Sequence, residues 1–136
     1  MATNSSYKDH CHEVRVYYED TDAAGVVYHA GYLMFAERAR TEMLRECGFE
    51  HARLLNDEGI SFAVARLEID YRKPAKLDDL LVVRTKMAQM QGASFSMEQI
   101  ILRREDVVAE LKIRIACIGK GGRAIRIPQG LRKLFV

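Results

Sequence analysis

The feature that most constrains the fold is an alternation of apolar and charged residues within positions 107–118. The odd positions from 107 to 117 are apolar, whereas Glu110, Lys112 and Arg114 carry charges at positions between them. Because successive side chains of a strand point to opposite faces, this pattern predicts a β-strand with one face in the core and one in water. Such a strand requires a sheet and a second layer that covers its apolar face.

Four earlier segments have a similar strand signature: residues 13–18, 63–72, 80–90 and 94–104. Turn residues at 91–92 and 105–106 separate the last three strands, so these strands are predicted to pair antiparallel as a meander. Residues 123–127 are expected to pair briefly with the sheet, and a short helix is predicted to open at Pro128.

A single long helix is predicted between the first strand and the others. Apolar residues recur at three- and four-residue steps over residues 32–47, and polar residues fill the opposite face. On that face Glu37, Arg38 and Arg40 are predicted to be solvated or paired at an interface. A shorter helix over residues 51–58 follows. The order of elements predicts an α+β fold, in which one curved antiparallel sheet wraps around one helix.

The composition limits the domain count and the partners. A chain of 136 residues suits one domain, which we predict over residues 13–136, behind a flexible tail of residues 1–12. The net charge of +2 is too small to indicate a nucleic-acid partner. Three widely spaced cysteines argue against a disulfide framework and favour the cytoplasm. Apolar side chains such as Val64 and Val82 are expected on the outer face of the sheet, which predicts burial by dimerisation.

The candidate chemistry lies in the polar segment 17–32, which joins the first strand to the long helix. The chain has no Gly-rich phosphate loop with a lysine, no G-x-S-x-G nucleophile motif and no motif of a thiol enzyme. Unpaired N–H groups at a helix start can hold the negative charge that grows on a carbonyl oxygen during acyl transfer. Gly25 lets the backbone turn just before such a start.

This segment reads Y-Y-E-D-T-D-A-A-G-V-V-Y-H-A-G-Y. It resembles the opening motif of the hotdog-fold hydroxybenzoyl-CoA thioesterase superfamily, in the form of the YbgC-type branch associated with the Tol-Pal system. The likeness continues through residues 37–42, 70–75 and 126–128, and it covers nearly the whole folded chain. It implies a hotdog fold and hydrolysis of the thioester bond of an acyl-CoA.

The resemblance also implies roles for individual residues. Asp22 faces the carbonyl carbon of the thioester as general base or as nucleophile, and the sequence leaves both roles open. The backbone amide of His29 points at the carbonyl oxygen, whereas its imidazole is expected to be a satisfied pocket residue. The candidate substrate contacts are Tyr18, Gly25, Val27, Tyr28, Ser94, Arg123 and Arg126.

The tyrosines of the segment 17–32 are expected to edge the pocket for the acyl group. An acyl-CoA with a short aliphatic or aromatic acyl group is expected, with a long chain or an acyl-carrier-protein thioester as the alternatives. The turn before Ser94 lacks the basic residues that meet the nucleotide in some family members. We expect a homo-oligomer, either a dimer or a homotetramer formed as a dimer of dimers. Its expected location is the cytoplasm, with peripheral attachment to the inner face of the inner membrane as the alternative.

A metal site, a binding adaptor and a hydratase are the alternatives to a thioesterase. We expect no cofactor and no metal, because His10-Cys11-His12 lies in the predicted tail without a fourth ligand. A non-catalytic adaptor that binds an acyl thioester or acyl carrier protein near the inner membrane would tolerate Asp22→Asn. A hydratase or dehydratase needs a histidine paired with an acid, and the spacing of Asp22 and His29 matches that arrangement poorly.

Overall fold

The computed structural model describes residues 9–133, and it confirms the predicted α+β class: a five-stranded antiparallel sheet packs on one long helix. The strands are β1 (Asp9–Arg15), β2 (Ser61–Tyr71), β3 (Leu80–Met90), β4 (Ser94–Arg103) and β5 (Asp106–Ile118). The helices are α1 (His29–Glu46), α2 (His51–Arg53), which continues as a π-helix over Leu54–Glu58, and α3 (Gln129–Arg132). No helix among these residues has the length and apolarity that crossing a bilayer requires.

The strand order in the sheet is β1-β3-β4-β5-β2. The three strands β3, β4 and β5 follow one another as an antiparallel meander, as predicted. β1 pairs with β3, where Val14 lies opposite Leu81, and β2 pairs with β5, where Leu67 lies opposite Ile113. The strands on either side of α1 and α2 in the sequence therefore form the two edges of the sheet.

β1 begins earlier than the sequence pattern predicts. The predicted tail ends at residue 12 and the predicted strand begins at Glu13, but β1 runs from Asp9, which lies opposite Lys86 of β3. The prediction of a tail is wrong for residues 9–12, because an edge strand is held by backbone hydrogen bonds that polar residues form as well as apolar ones. The first eight residues of the predicted tail lie outside the described part of the chain.

The core lies between α1 and one face of the sheet. The predicted periodicity of the helix is confirmed, with Phe35 and Met43 each only 1% exposed. The apolar face of β5 is buried as predicted from residue 109 to residue 117, whereas Val107 is half-buried and lies opposite Leu102 after a shift in the pairing with β4. Alternating residues of β3 and β4 are buried beside it. α1 begins at His29, before the first apolar position at Tyr32, because the first turn of a helix can be polar when only one stripe faces the core.

A β-bulge in β2 changes which residues face the helix. The pairing with β5 shifts around Ala65, which is the extra residue. After the bulge, Leu67 and Ile69 pack against the core as predicted. Before the bulge, Phe62 packs there in place of Ala63. The single alternation predicted for this strand is therefore wrong in its first half.

The same bulge overturns the prediction that Val64 lies on the outer face of the sheet. Val64 lies opposite the buried Ile115, so its side chain is on the helix side of the sheet. It is still 48% exposed, because β2 is an edge strand. Val82 does lie on the outer face, half-buried and opposite Leu102.

A buried polar cluster crosses the interface between α1 and the sheet. Arg40 is 7% exposed, and its guanidinium donates to Oε1 of Gln99 at 3.0 Å. The Gln99 amide donates to the carbonyl of Ala36 and to the hydroxyl of Thr85, both at 2.9 Å. Burial lowers the pKa of Arg40. The prediction of a solvated or interface-paired Arg40 is wrong, because helix periodicity does not reveal that a strand glutamine faces it.

Candidate active site

The loop between β1 and α1 is held largely by its own backbone. Tyr18–Asp20 forms one turn of 3₁₀-helix, and Oδ2 of Asp20 accepts a hydrogen bond from the amide of Tyr17 at 2.8 Å. A β-bridge pairs Thr21 with Val27 and closes the residues between them into a narrow loop. Asp20 is thus a turn-capping residue, and its carboxylate is engaged by the backbone.

Asp22 lies at the beginning of this narrow loop. Its amide donates to the carbonyl of Val26 at 2.9 Å, and its carbonyl accepts from the amide of Gly25 at 3.0 Å. Oδ1 accepts from the amide of Ala24 at 2.8 Å, whereas Oδ2 has no hydrogen-bond partner among residues 9–133. The carboxylate is therefore anchored by one oxygen and exposed through the other. Such an oxygen can take a proton from water or attack a carbonyl carbon.

The first turn of α1 presents unpaired amides. Tyr28 is the N-cap residue, and its side chain makes no capping hydrogen bond. The amide of Tyr28 donates to the carbonyl of Asp20 at 3.0 Å, and the amide of Gly31 donates to the carbonyl of Tyr28 at 2.7 Å. The amides of His29 and Ala30 have no partner within the described residues. Two such N–H groups at the positive end of a helix form a site for a negatively charged oxygen.

Asp22 and this helix start border the same open cleft, whose volume is about 430 Å³. The cleft is lined by Asp22, Val27, Tyr28, His29, Tyr32, Tyr71, Arg72, Lys73 and Pro74. Its size falls in the range of small-molecule sites. Four residues predicted from the sequence, Asp22, Val27, Tyr28 and His29, are thus brought together.

Two tyrosines of the cleft were not predicted as site residues. The hydroxyl of Tyr71 donates to the backbone carbonyl of His29 at 2.8 Å, and the hydroxyl of Tyr32 accepts from the amide of Ala75 at 2.9 Å. Their rings meet edge to face, with centroids 5.5 Å apart. Burial raises the pKa of both hydroxyl groups. Periodicity marks Tyr32 as a core residue and Tyr71 as a strand residue, and the family resemblance covers both positions without indicating a role for either.

The basic residues beside the cleft already have acidic partners. Lys73 lies 3.1 Å from Asp106, and Arg72 lies 2.9 Å from Glu110. All four side chains are about half exposed, so these ion pairs are weak and can exchange for other anions. Arg72 and Lys73 can therefore leave their acidic partners and bind a phosphate group of the substrate.

The remaining predicted substrate contacts do not line this cleft. Tyr18 is 82% exposed on the 3₁₀ turn, and Gly25 lies at the tip of the narrow loop. The Ser94 hydroxyl faces Oε1 of Gln91 at 3.5 Å. Arg123 and Arg126 are exposed, and neither has an ion-pair partner within residues 9–133. Their roles stay predictions.

The His10-Cys11-His12 segment belongs to β1. Alternation within the strand places Cys11 on the opposite face from His10 and His12. Nε2 of His10 lies 3.0 Å from Oε2 of Glu46 at the end of α1. Within residues 9–133, no group of three or more histidine, cysteine or acidic residues is arranged to hold a metal ion.

A second cleft, of about 370 Å³, lies over the outer face of the sheet. Its charged side chains alternate in sign across the five strands in one register row: Asp9, Lys86, Glu98, Lys112 and Glu68. Opposite charges on neighbouring strands stabilise each other. This cleft is therefore part of a solvated sheet face whose charges are already paired. The cleft beside Asp22 is the better candidate for the active site.

Residues 4–135 match the family model of the Thioesterase-like superfamily. The chain belongs to this superfamily. Relatives of this thioesterase-like protein include the acyl-CoA thioesterase YbgC of Haemophilus influenzae, 45% identical over 123 residues, which are 90% of each chain. The acyl-CoA thioester hydrolase YbgC of Escherichia coli O6:H1 is 45% identical over 106 residues, 77% of this chain and 78% of the relative.

Solved structures give the same assignment for this thioesterase-like protein. A probable thioesterase from Bartonella henselae is 42% identical, and the match covers 88% of this chain and 99% of that one with a TM-score of 0.84. The family and the hotdog fold predicted from the segment 17–32 are thereby confirmed.

Proposed function

We propose that this protein hydrolyses the thioester bond of an acyl-CoA in the cleft between Asp22 and the start of α1. The observation that carries the proposal is that Asp22, which has an exposed carboxylate oxygen, and His29, the first residue of α1 and one of the two with an unpaired amide, border one open space. The relative from Haemophilus influenzae bears the name acyl-CoA thioesterase, which supports the same reaction here.

In the proposed reaction, the thioester carbonyl oxygen lies against the amides of His29 and Ala30. Asp22 takes a proton from a water molecule, the hydroxide adds to the carbonyl carbon, and the amides hold the negative charge on the oxygen. The intermediate then collapses with cleavage of the carbon–sulfur bond and release of the acid. The CoA thiolate takes up the proton held by Asp22, which restores the carboxylate.

A second route uses Asp22 as the nucleophile. Its free oxygen bonds to the carbonyl carbon, the CoA thiolate leaves a mixed anhydride behind, and water hydrolyses that anhydride. A single turnover in ¹⁸O-labelled water tests this route, because attack of water on the Asp22 carboxyl carbon places label in the protein. Mass analysis of the peptide that contains Asp22 detects that label.

We propose a short aliphatic or aromatic acyl group as the preferred one. Three tyrosine rings line the cleft, those of Tyr28, Tyr32 and Tyr71. Aromatic rings can pack against another ring or cover a short alkyl group. A long acyl chain, and an acyl group presented by a carrier protein, are the alternatives that the same assay compares.

We also propose a homo-oligomer in which the β2 edges of two copies meet. Val64 and Tyr71 are 48% and 47% exposed on this edge. An edge strand with exposed apolar side chains is a pairing surface, and pairing it with itself gives a closed dimer. A second copy is also the proposed means of bringing predicted CoA contacts, such as Arg126, to the cleft. Two such dimers would form the predicted homotetramer.

The proposed location is the cytoplasm. Cys11, Cys47 and Cys117 are free cysteines, which suits a reducing compartment. Peripheral attachment at the inner face of the inner membrane, beside the Tol-Pal system, is the alternative that the YbgC-type resemblance suggests.

The deciding experiment follows thiol release from butyryl-, octanoyl-, palmitoyl- and benzoyl-CoA. Wild type is compared with Asp22→Asn and with a matched control, Asp57→Asn, at an exposed position outside the cleft. Asparagine keeps the shape of aspartate but cannot act as the base or nucleophile. We expect Asp22→Asn to lose at least about 100-fold in kcat and the control to retain the wild-type rate.

Two results would contradict the proposed function: no thiol release by the wild type from any of the four substrates, or equal rates for wild type and Asp22→Asn. The non-catalytic adaptor would then be the better hypothesis. Equal binding of a non-hydrolysable acyl-CoA thioether by both proteins would support that adaptor.

A further inference from the structure

Tyr71, the last residue of β2, connects the sheet to the start of α1. Its hydroxyl donates to the backbone carbonyl of His29 at 2.8 Å, although the two residues are 42 positions apart. α1 begins at His29, and the N-cap residue Tyr28 makes no side-chain hydrogen bond to the first turn. The first turn is therefore tied by a side chain that comes from another element.

The bonded carbonyl belongs to the same peptide unit as one of the unpaired amides. The C=O of His29 and the N–H of Ala30 lie in one plane and point in opposite directions. A hydrogen bond accepted by the carbonyl therefore restricts the direction of the N–H. It also polarises the peptide, which makes that N–H a stronger donor.

Tyr71 is itself held in place. Its backbone lies opposite the buried Ala109 of β5, and its ring meets the ring of Tyr32 edge to face at 5.5 Å. The hydroxyl of Tyr32 accepts from the amide of Ala75 at 2.9 Å, which fixes the second ring. The position of the Tyr71 hydroxyl is thus fixed by the sheet and by the loop that follows β2.

We propose that Tyr71 is a positioning residue that orients the Ala30 amide toward the oxygen of the reacting thioester, by holding the carbonyl of His29. This inference rests on the proposed function. Tyr71 acts through the backbone, and its proton stays on its own oxygen during the reaction. Burial raises the pKa of this hydroxyl, so it remains a donor at neutral pH.

The first test compares Tyr71→Phe with wild type, using whichever of the four acyl-CoAs the wild type hydrolyses fastest. Phenylalanine keeps the ring contact with Tyr32 and removes only the donor. The matched control is Tyr17→Phe, because Tyr17 is 63% exposed and does not line the cleft. We expect Tyr71→Phe to lose about tenfold in kcat, less than the loss of an entire oxyanion donor, with KM and the unfolding midpoint nearly unchanged.

A spectroscopic test separates orientation of the amide from general weakening of the fold. The carbonyl stretching frequency of the same acyl-CoA, ¹³C-labelled at the carbonyl, is measured when it is bound to Asp22→Asn. Hydrogen bonds from the amides lower this frequency. Adding Tyr71→Phe should return it part of the way to the value in water, whereas adding Tyr17→Phe should not.

An unchanged kcat in Tyr71→Phe, or an unchanged carbonyl frequency, would overturn the inference. A loss of kcat that accompanies an equal loss of substrate affinity and thermal stability would also overturn it, because Tyr71 would then be only a structural residue. If Asp22→Asn is inactive while Tyr71→Phe behaves as wild type, the inference alone fails. If the wild type hydrolyses none of the substrates, the proposed function fails and the inference fails with it.

Discussion

Arg40 of α1 donates a hydrogen bond of 3.0 Å to Gln99 of β4 inside the interface between helix and sheet. Gln99 is 1% exposed and also donates to Ala36 and Thr85, so its amide satisfies three polar groups at once. Buried polar groups need such partners, because an unsatisfied one costs more than a hydrogen bond contributes. The glutamine therefore fixes how α1 sits on the sheet.

We expect Gln99→Leu to lower the free energy of unfolding by about 3 kcal/mol, because it leaves a buried guanidinium without an acceptor. The double variant Arg40→Met/Gln99→Leu should regain most of this loss, since apolar groups of similar size replace the charged cluster. Urea unfolding measures both effects, with Gln89→Leu at an exposed position of β3 as the control. Wild-type stability in Gln99→Leu would show that the cluster is not important for the fold.

The turn that carries Asp22 depends on the left-handed backbone of Gly25, where φ is 80°. No atom lies within 4 Å of an added Cβ, so the cost of Gly25→Ala is conformational, about 1–2 kcal/mol. Because the Gly25 amide holds the Asp22 carbonyl, we also expect a several-fold fall in kcat. Gly25→Asn is the matched variant, since asparagine tolerates this conformation, and it should lose less of both. Equal losses in the two variants would contradict this explanation.

The loop beside the cleft is tied down by Asp79. Its Oδ2 accepts from Arg103 at 3.0 Å and from the amide of Lys76 at 2.8 Å. Burial acts to raise the pKa of this carboxyl, but the Lys76 amide and the Arg103 guanidinium together hold it below its usual value. A lowered pKa means that the ionised form stabilises the fold above the pKa of the unfolded chain, and that this contribution is lost as pH falls through the folded pKa.

We therefore expect Asp79→Asn to be less stable than wild type at pH 7, and the difference to shrink as the pH is lowered from about 4 to below the folded pKa. Urea unfolding at a series of pH values measures the difference. The control is Asp78→Asn, at an exposed neighbour whose left-handed backbone asparagine accepts. A difference that does not vary with pH would show that the ionised carboxylate is not the stabilising group.

The proposed dimer predicts a specific effect at Val64. A glutamate at this exposed position of the β2 edge would place like charges together when two copies pair, so Val64→Glu should shift the molecular mass in solution toward the monomer. Leu55→Glu is the control, because Leu55 is 56% exposed and belongs to the π-helix rather than to β2. Light scattering after size-exclusion chromatography measures the mass. A monomeric wild type, or an unchanged mass in Val64→Glu, would contradict pairing through β2.

Much of the fold was predictable from local patterns. The alternation in β5, the helical periodicity of α1 and the turn residues between the last three strands depend on neighbours a few positions away, and the structure agrees with them. The segment around Asp22 was also recognisable, because a loop, a glycine and a helix start are local features. These local patterns therefore predicted which segment of the chain contains the site.

Tertiary contacts decided the rest, because they join residues that no local pattern relates. Pairing with β3 makes Asp9 and its neighbours part of a strand. The bulge at Ala65 changes which side chains at the start of β2 face the helix. Arg40 is buried because Gln99 accepts a hydrogen bond from it. Tyr71, at the end of β2, donates its hydroxyl to the start of α1. Backbone pairing and the burial of a polar group depend on which sequence-distant residue lies opposite it in the fold. That partner is determined only when the sheet packs on the helix.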